Sequence, residues 1–182
     1  MVAVILKQKI MRKINLRDVT FICPVRIDSA ERLNNIFAIH KYLSAHFFTN
    51  FIFCEADAKQ TVVLNEIPGY YYEKDNDPVF HHTRYRSQMI KKCVTPISGI
   101  WDAYILAPVE HILASVNAIR EKKYSMTWPY DGTCYSIPEA DSNTFREEQD
   151  LSWIQEKSKS YSRMFVKHTV GGAFFVNKSD YI

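Results

Sequence analysis

What this sequence lacks narrows its function first. Its four cysteines, Cys23, Cys54, Cys93 and Cys134, form no C-x-x-C pair and have no histidine at metal-ligand spacing. Zinc-ribbon and dithiol redox motifs are thereby excluded. No apolar run approaches the roughly 20 residues that a membrane-spanning helix needs. Residues 2–6 are too few for a signal-peptide core, and the basic residues follow that run instead of preceding it. A net charge of +3, from 23 basic and 20 acidic residues, is too small to argue for a nucleic-acid partner. No glycine-rich phosphate loop follows the first strand-like run, which ends at Val25. Internal repeats and composition breaks are missing too, so one domain is expected.

What is present is an ordinary globular composition. The 182 residues are 47% hydrophobic and 24% charged, enough to bury a core without cross-links. Aromatic residues make up 14%. Their faces stack on bases and sugars, although most are expected in the core. Cys23 and Cys54 close apolar runs, where cysteine acts as a small hydrophobe, and a reducing, cytoplasmic location is expected. Residues 1–18 read as a solvated N-terminal extension. Its Lys7, Lys9, Arg12, Lys13 and Arg17 would allow peripheral contact with the inner face of an anionic membrane.

Residues 19–25 are apolar or β-branched throughout, as a strand buried on both faces requires. Asp28 with Glu31 makes a capping-box pattern at a helix start. Leu33, Ile36, Phe37, His40, Leu43 and Phe47 then share one helical face, on which His40 reads as a core histidine. A strand at 50–54 ends in Glu55-Ala56-Asp57 and completes a βαβ unit. A short helix over 59–66, a Pro68-Gly69 turn, a strand from Tyr70 and a polar loop over 74–78 follow. Residues 81–93 form a helix with Arg84 and Arg86 near its start. Cations there oppose the macrodipole unless an anion sits beside them. The adjacent His81 and His82 lack the spacing of a metal pair.

A helix at 108–122 is marked by Pro108 and the stripe Val109, Ile112, Leu113, Val116 and Ile119. Residues 126–137 read as a hairpin on Asp131-Gly132, and 145–158 as a charged surface helix. A last strand, 168–176, is entered through Gly171 and Gly172, a pair that suits close backbone approach. Asn177 or Ser179 offers a cap for another helix, after which the chain reads as cut short.

The chain is organised around residues 98–108. A strand at 98–101 runs into Asp102 and then into the helix at Pro108. A carboxylate at the carboxyl end of a central strand is where open α/β sheets place ligand chemistry. Taken alone, an aspartate there is as readily a turn or cap residue.

Four stretches in order resemble the GT-A nucleotide-sugar-dependent glycosyltransferases, closest to the galactosyltransferase and chondroitin-polymerase branch. They are Pro24-Val25-Arg26 at the first strand end, Thr83-Arg84-Tyr85-Arg86 at a helix start, Asp102-Ala103-Tyr104 before Pro108, and Gly171-Gly172-Ala173. Trp128-Pro129-Tyr130-Asp131-Gly132 is similar to a segment of bacterial members. The likeness runs from Val19 to the C-terminus. It implies an α/β fold with a mostly parallel central sheet flanked by helices, and inverting transfer from a UDP-sugar to a glycan or glycoconjugate. By the same resemblance Pro24, Arg26 and Asp28 line the nucleotide pocket, Glu55 or Asp57 meets the base, and Arg84 reaches the diphosphate. Asp102 meets the ribose or a metal's water shell, and Gly171 and Gly172 admit the donor sugar.

The sequence departs from that family twice. The second carboxylate of its D-x-D motif, which binds Mn²⁺, is Tyr104 here, and a neutral phenol is a poor ligand for a hard cation. Mn²⁺ or Mg²⁺ would have to rest on Asp102 alone, or Arg84 and Arg86 would supply the charge in its place. The family's acidic acceptor-site segment also has no counterpart before Ile182. Glu139, Asp141 and Asp150 are left as carboxylates without an assigned base. A catalytically inactive sugar-nucleotide-binding or interaction module is the alternative expectation.

Overall fold

The computed structural model describes residues 12–62, 67–165 and 171–182. Its first strand, β1 (Ile14–Val25), is buried without interruption from Val19 to Val25, because the sheet continues on both sides of it. β1 starts inside the expected N-terminal extension, with Leu16 wholly buried. Lys13 and Arg17 lie over the ring of Phe48. The basic residues before Arg12 lie outside the described residues.

Helix α1 (Ala30–His46) begins at Ser29, whose side chain accepts from the Arg32 amide. The expected capping pair is not formed, because Asp28 pairs with Arg32 at 3.2 Å instead. The helix buries Ile36, Ile39, Tyr42 and Leu43. His40 packs edge-on to Phe51 and Phe53 and shares a hydrogen bond with Ser44, which is the core role expected of it. Burial lowers its pKa. Phe47 opens β2 (Phe47–Asp57) in place of extending the helical stripe.

Strand β3 (Tyr70–Lys74) follows a turn at Gly69 with φ of +75°. A Cβ at Gly69 would lie 2.0 Å from the Phe51 carbonyl oxygen, so only glycine fits. Residues 59–62 are not helical, and the rest of the helix expected over 59–66 lies outside the described residues. Helix α2 (His82–Lys92), strand β4 (Ile97–Trp101) and helix α3 (Val109–Arg120) fall where the sequence places them.

The expected hairpin is replaced by two separate short strands, β5 (Met126–Thr127) and β6 (Cys134–Ser136). β6 pairs with a later strand, β7 (Ser162–Phe165), and β5 with β8 (Ala173–Asn177). Asp131 still builds a local turn by accepting from the Thr133 amide at 2.9 Å. The charged helix expected at 145–158 is two helices, α4 (Glu139–Glu148) and α5 (Leu151–Lys157), split at Gln149 in the left-handed conformation. Asn177 caps the final helix, α6 (Lys178–Tyr181).

The main sheet has the order β3-β2-β1-β4-β8-β5. β3, β2, β1 and β4 are parallel, and β8 runs antiparallel to both its neighbours. This is a mixed, mostly parallel α/β sheet flanked by helices. Side-chain alternation along each strand divides the core in two. Phe21, Trp101 and Phe175 face α1, α3, α4 and α5, whereas Ile22, Ile100 and Phe174 face α2. A polar site therefore has to form where the parallel strands end.

Candidate functional site

β4 is buried at all five positions, and the chain leaves it at Asp102. The Asp102 amide donates to the Gly172 carbonyl at 2.7 Å, which fastens the end of β4 to the approach into β8. Trp101 Nε1 donates to the Ile105 carbonyl at 2.8 Å. The turn so closed carries Tyr104 outward to 64% exposure. Asp102 itself is 6% exposed.

Its carboxylate has two partners. Arg86 Nη2 donates to Oδ1 at 2.7 Å, and the Tyr104 hydroxyl donates to Oδ2 at 3.4 Å. The Arg86 guanidinium also lies 5.8 Å from the centre of the Phe174 ring, and its buried Nε has no hydrogen-bond partner. Burial raises the Tyr104 pKa, and the neighbouring Asp102 charge adds to it, so the phenol stays a neutral donor. Nearby, burial lowers the His82 pKa, with Arg86 and Arg32 lowering it further against the pull of Asp102. Arg86 is thus the cation paired with this carboxylate, whereas Arg32 pairs with Asp28.

A cleft of about 620 Å³ opens at this place. Asp102, Arg86, Tyr104, Gly171 and Gly172 line it, with Glu31 and Asn35 from α1 and Phe145 and Arg146 from α4. Gly172 has φ of +84°, and a Cβ there would lie 3.0 Å from Ile105 Cγ1. A Cβ on Gly171 would meet nothing within 4 Å. The expected close backbone approach is therefore real at Gly172, while Gly171 borders open space.

The other expected site residues are placed differently. Arg26 donates to the carbonyls of Ala56, Pro78 and Asp77 at 3.4, 3.0 and 2.8 Å, and its Nε lies 3.9 Å from Asp57. It ties the ends of β1 and β2 to the loop before α2. Glu55 is wholly buried and accepts from the Thr61 and Val62 amides and the Tyr70 hydroxyl at 2.7, 3.2 and 2.6 Å. Asp57 accepts from the Ala58 amide, and Asp28 pairs with Arg32. Pro24, Arg26, Asp28, Glu55, Asp57 and Arg84 do not line the cleft, whereas Asp102, Gly171 and Gly172 do. Arg84 bonds to Asp75 and the Tyr85 hydroxyl, leaving Arg86 as the arginine at Asp102. Of the remaining carboxylates, Asp141 is held by Lys157 and Tyr161. Asp150 caps α5, and Glu139 sits in the first turn of α4.

Sequence reasoning missed Arg146. It donates to Asn35 at 2.8 Å and pairs with Glu31 at 3.3 Å, bridging α4 to α1 on the wall of the cleft. These partners lie more than a hundred residues away, so no local pattern announces them.

A hard divalent cation requires several oxygen ligands. Asp102 offers one carboxylate, one of whose oxygens Arg86 already holds. Among the described residues no three His, Cys, Asp or Glu side chains converge as a metal site. The residues present do not fit a directly ligated Mn²⁺ or Mg²⁺. Among them, too, no helix is long and apolar enough to cross a membrane. In comparisons with known proteins, no family model matches this sequence and no curated protein sequence matches it.

Proposed function

We propose that this chain is a glycosyltransferase domain of the GT-A type, which binds a UDP-sugar in the cleft at Asp102 and transfers the sugar to a glycan or glycoconjugate with inversion. The observation that carries this reading is the Arg86–Asp102 pair at the carboxyl end of β4, facing a cleft bordered by Gly171 and Gly172. Open α/β sheets bind nucleotides at such strand ends. The four motifs that resemble the family supply the rest of the support.

In this reaction the acceptor hydroxyl oxygen attacks the anomeric carbon. The bond from that carbon to the diphosphate oxygen breaks, and its electron pair leaves with the diphosphate. The hydroxyl proton passes to a base. The leaving group gains charge, so a fixed cation beside it lowers the barrier. Arg86 is the residue for that task, with its planar fork suited to phosphate oxygens. Gly171 leaves room for the donor sugar. Arg26 and Glu55 act indirectly, holding the loops that frame the nucleotide side.

A second reading, a sugar-nucleotide-binding module without turnover, is favoured by Tyr104 in place of a second carboxylate. Calorimetric titration of UDP, beside an Arg86→Ala control, tests both. Micromolar to submillimolar binding that the control loses supports the donor site, and no binding by the folded wild type sinks it. Release of UDP from UDP-hexoses and UDP-N-acetylhexosamines then separates enzyme from module.

A further inference from the structure

At the end of the sheet opposite the cleft, five chain segments meet. The parallel strands β1, β2 and β4 start at that end, and β8 finishes there because it runs antiparallel to β4. Side-chain and backbone bonds tie the segments together. Arg120 reaches Asp18 and the Asn15 carbonyl. The Asn177 amide donates to the Ser125 carbonyl and the Lys178 amide to the Pro96 carbonyl, both at 2.8 Å. Residues 12–18, 46–50, 91–96, 120–125 and 177–182 carry nine Lys and Arg against three carboxylates. The rest of the chain has 14 against 17, so the positive charge of the protein is gathered at this end. Two of the three carboxylates are taken up locally, Asp18 by Arg120 and Glu121 by Lys123. Arg12, Lys13, Arg17, Lys91 and Lys122 are exposed and have no carboxylate partner among the described residues. Phe48, Val94 and Tyr124 stand among these cations, 44, 94 and 64% exposed.

We infer that this end of the sheet is a peripheral membrane-binding face, whose partner is a bilayer carrying anionic phospholipid. The inference is independent of the donor reading. Each lysine or arginine near such a bilayer is drawn by its negative surface potential. Their long apolar stems let the charged heads reach lipid phosphates while the side chains between them enter the interface. Val94 decides between a bilayer and a nucleic acid. An aliphatic side chain cannot stack on a base, whereas its burial at a bilayer interface is favourable. A second copy of the chain is a poor occupant, because a two-fold contact would set this positive face against itself. At about 4.8 Å per strand, the ends of β2, β1, β4, β8 and β5 span roughly 20 Å, wide enough to meet several headgroups at once. With this end on the bilayer, the cleft at Asp102 lies at the far end of the strands and stays open.

Cosedimentation of the full chain with phosphatidylcholine vesicles, with and without about one-third phosphatidylglycerol, tests the face. Binding is expected to the anionic vesicles alone, and should fall about tenfold or more between about 0.1 and about 0.5 M salt. The variant Arg17→Glu/Lys91→Glu/Lys122→Glu should bind them about tenfold more weakly or worse, and Val94→Ser about threefold more weakly. All four positions are exposed, so both variants should melt within about 3 °C of the wild type. No binding to anionic vesicles overturns the inference, and so does equal binding to both vesicle types. A charge variant that binds like the wild type puts the contact elsewhere and overturns the face. If a single-stranded oligonucleotide displaces the vesicles while Val94→Ser changes nothing, the surface is a general polyanion site and the membrane assignment falls. No arm uses UDP, so the donor reading stands or falls separately.

Discussion

Arg86 and Asp102 are joined at 2.7 Å between Nη2 and Oδ1, with side chains 20% and 8% exposed. A buried carboxylate with one cationic partner contributes less to stability than its removal suggests, since losing the partner strands a charge in a poorly solvated place. Arg86→Met is therefore expected to cost about 3 kcal/mol. Asp102→Asn, which keeps the shape and drops the charge, should cost roughly 1–2 kcal/mol. The double variant Arg86→Met/Asp102→Asn should cost less than the sum of the two single losses. Urea unfolding of the three proteins checks this. A double variant as unstable as the sum of two independent losses would mean that the pair is not coupled.

The same pair governs the response to metal. With one Asp102 oxygen on Arg86 and a phenol at position 104, UDP affinity should differ by less than about threefold between Mn²⁺ and a chelator. Tyr104→Asp places a second carboxylate two residues on, on a side chain already exposed at 64%. Mn²⁺ is then expected to strengthen UDP binding about tenfold or more. Calorimetry in both buffers decides it. A wild type that needs Mn²⁺ would show that Asp102 gathers a metal without its neighbour.

Why the sequence led to Arg84 and the fold to Arg86 is a matter of helix geometry. Two residues along an α-helix are turned about 200° apart, so when Tyr85 faces the core its neighbours diverge. Arg84 turns to Asp75 and Arg86 to Asp102. Strands β1 and β4 were legible as continuous apolar runs and helix α3 by its periodic stripe, both of them local signals. The Asp131-Gly132 turn was legible too, but not its strands, because the partners of β5 and β6 lie far along the chain. The carboxylates in the last residues of β2, Glu55 and Asp57, were visible as a charged strand end. Whether such a group meets a ligand or a loop depends on amides six and seven residues on, and Glu55 takes those amides itself.

Asp75 gives the protein an acid-sensitive corner. Hydrogen bonds from the Tyr85 hydroxyl and the Asp77 amide, then Arg84, hold its carboxyl at about 2, below the ordinary 3.8. A depressed folded pKa means stability that is present above pH 3.8 and lost as pH falls toward 2. Asp75→Asn removes that contribution. The wild type should melt higher than the variant near neutrality, and the two curves should converge as pH approaches 2. Melting temperatures measured from pH 6 downward, in about half-unit steps, check this. A constant gap across the range would assign the stabilisation to shape and not to charge.

The paired glycines allow binding and stability to be tested apart. Gly172 has a φ that side chains rarely adopt, and its Cβ would press Ile105 at 3.0 and 3.2 Å. Gly172→Ala should cost about 1–3 kcal/mol. It should also disturb Asp102, whose amide bonds to the Gly172 carbonyl. Gly171→Ala adds a methyl into open space, so the fold should hold to within about 0.5 kcal/mol. That methyl projects where the donor sugar is proposed to lie, in the cleft that Gly171 lines. UDP affinity in Gly171→Ala should therefore stay near the wild-type value, while a UDP-hexose binds about tenfold more weakly than to the wild type. Paired titrations of UDP and UDP-hexose measure that selectivity. Equal losses for both ligands would put the nucleotide, and not the sugar, against Gly171.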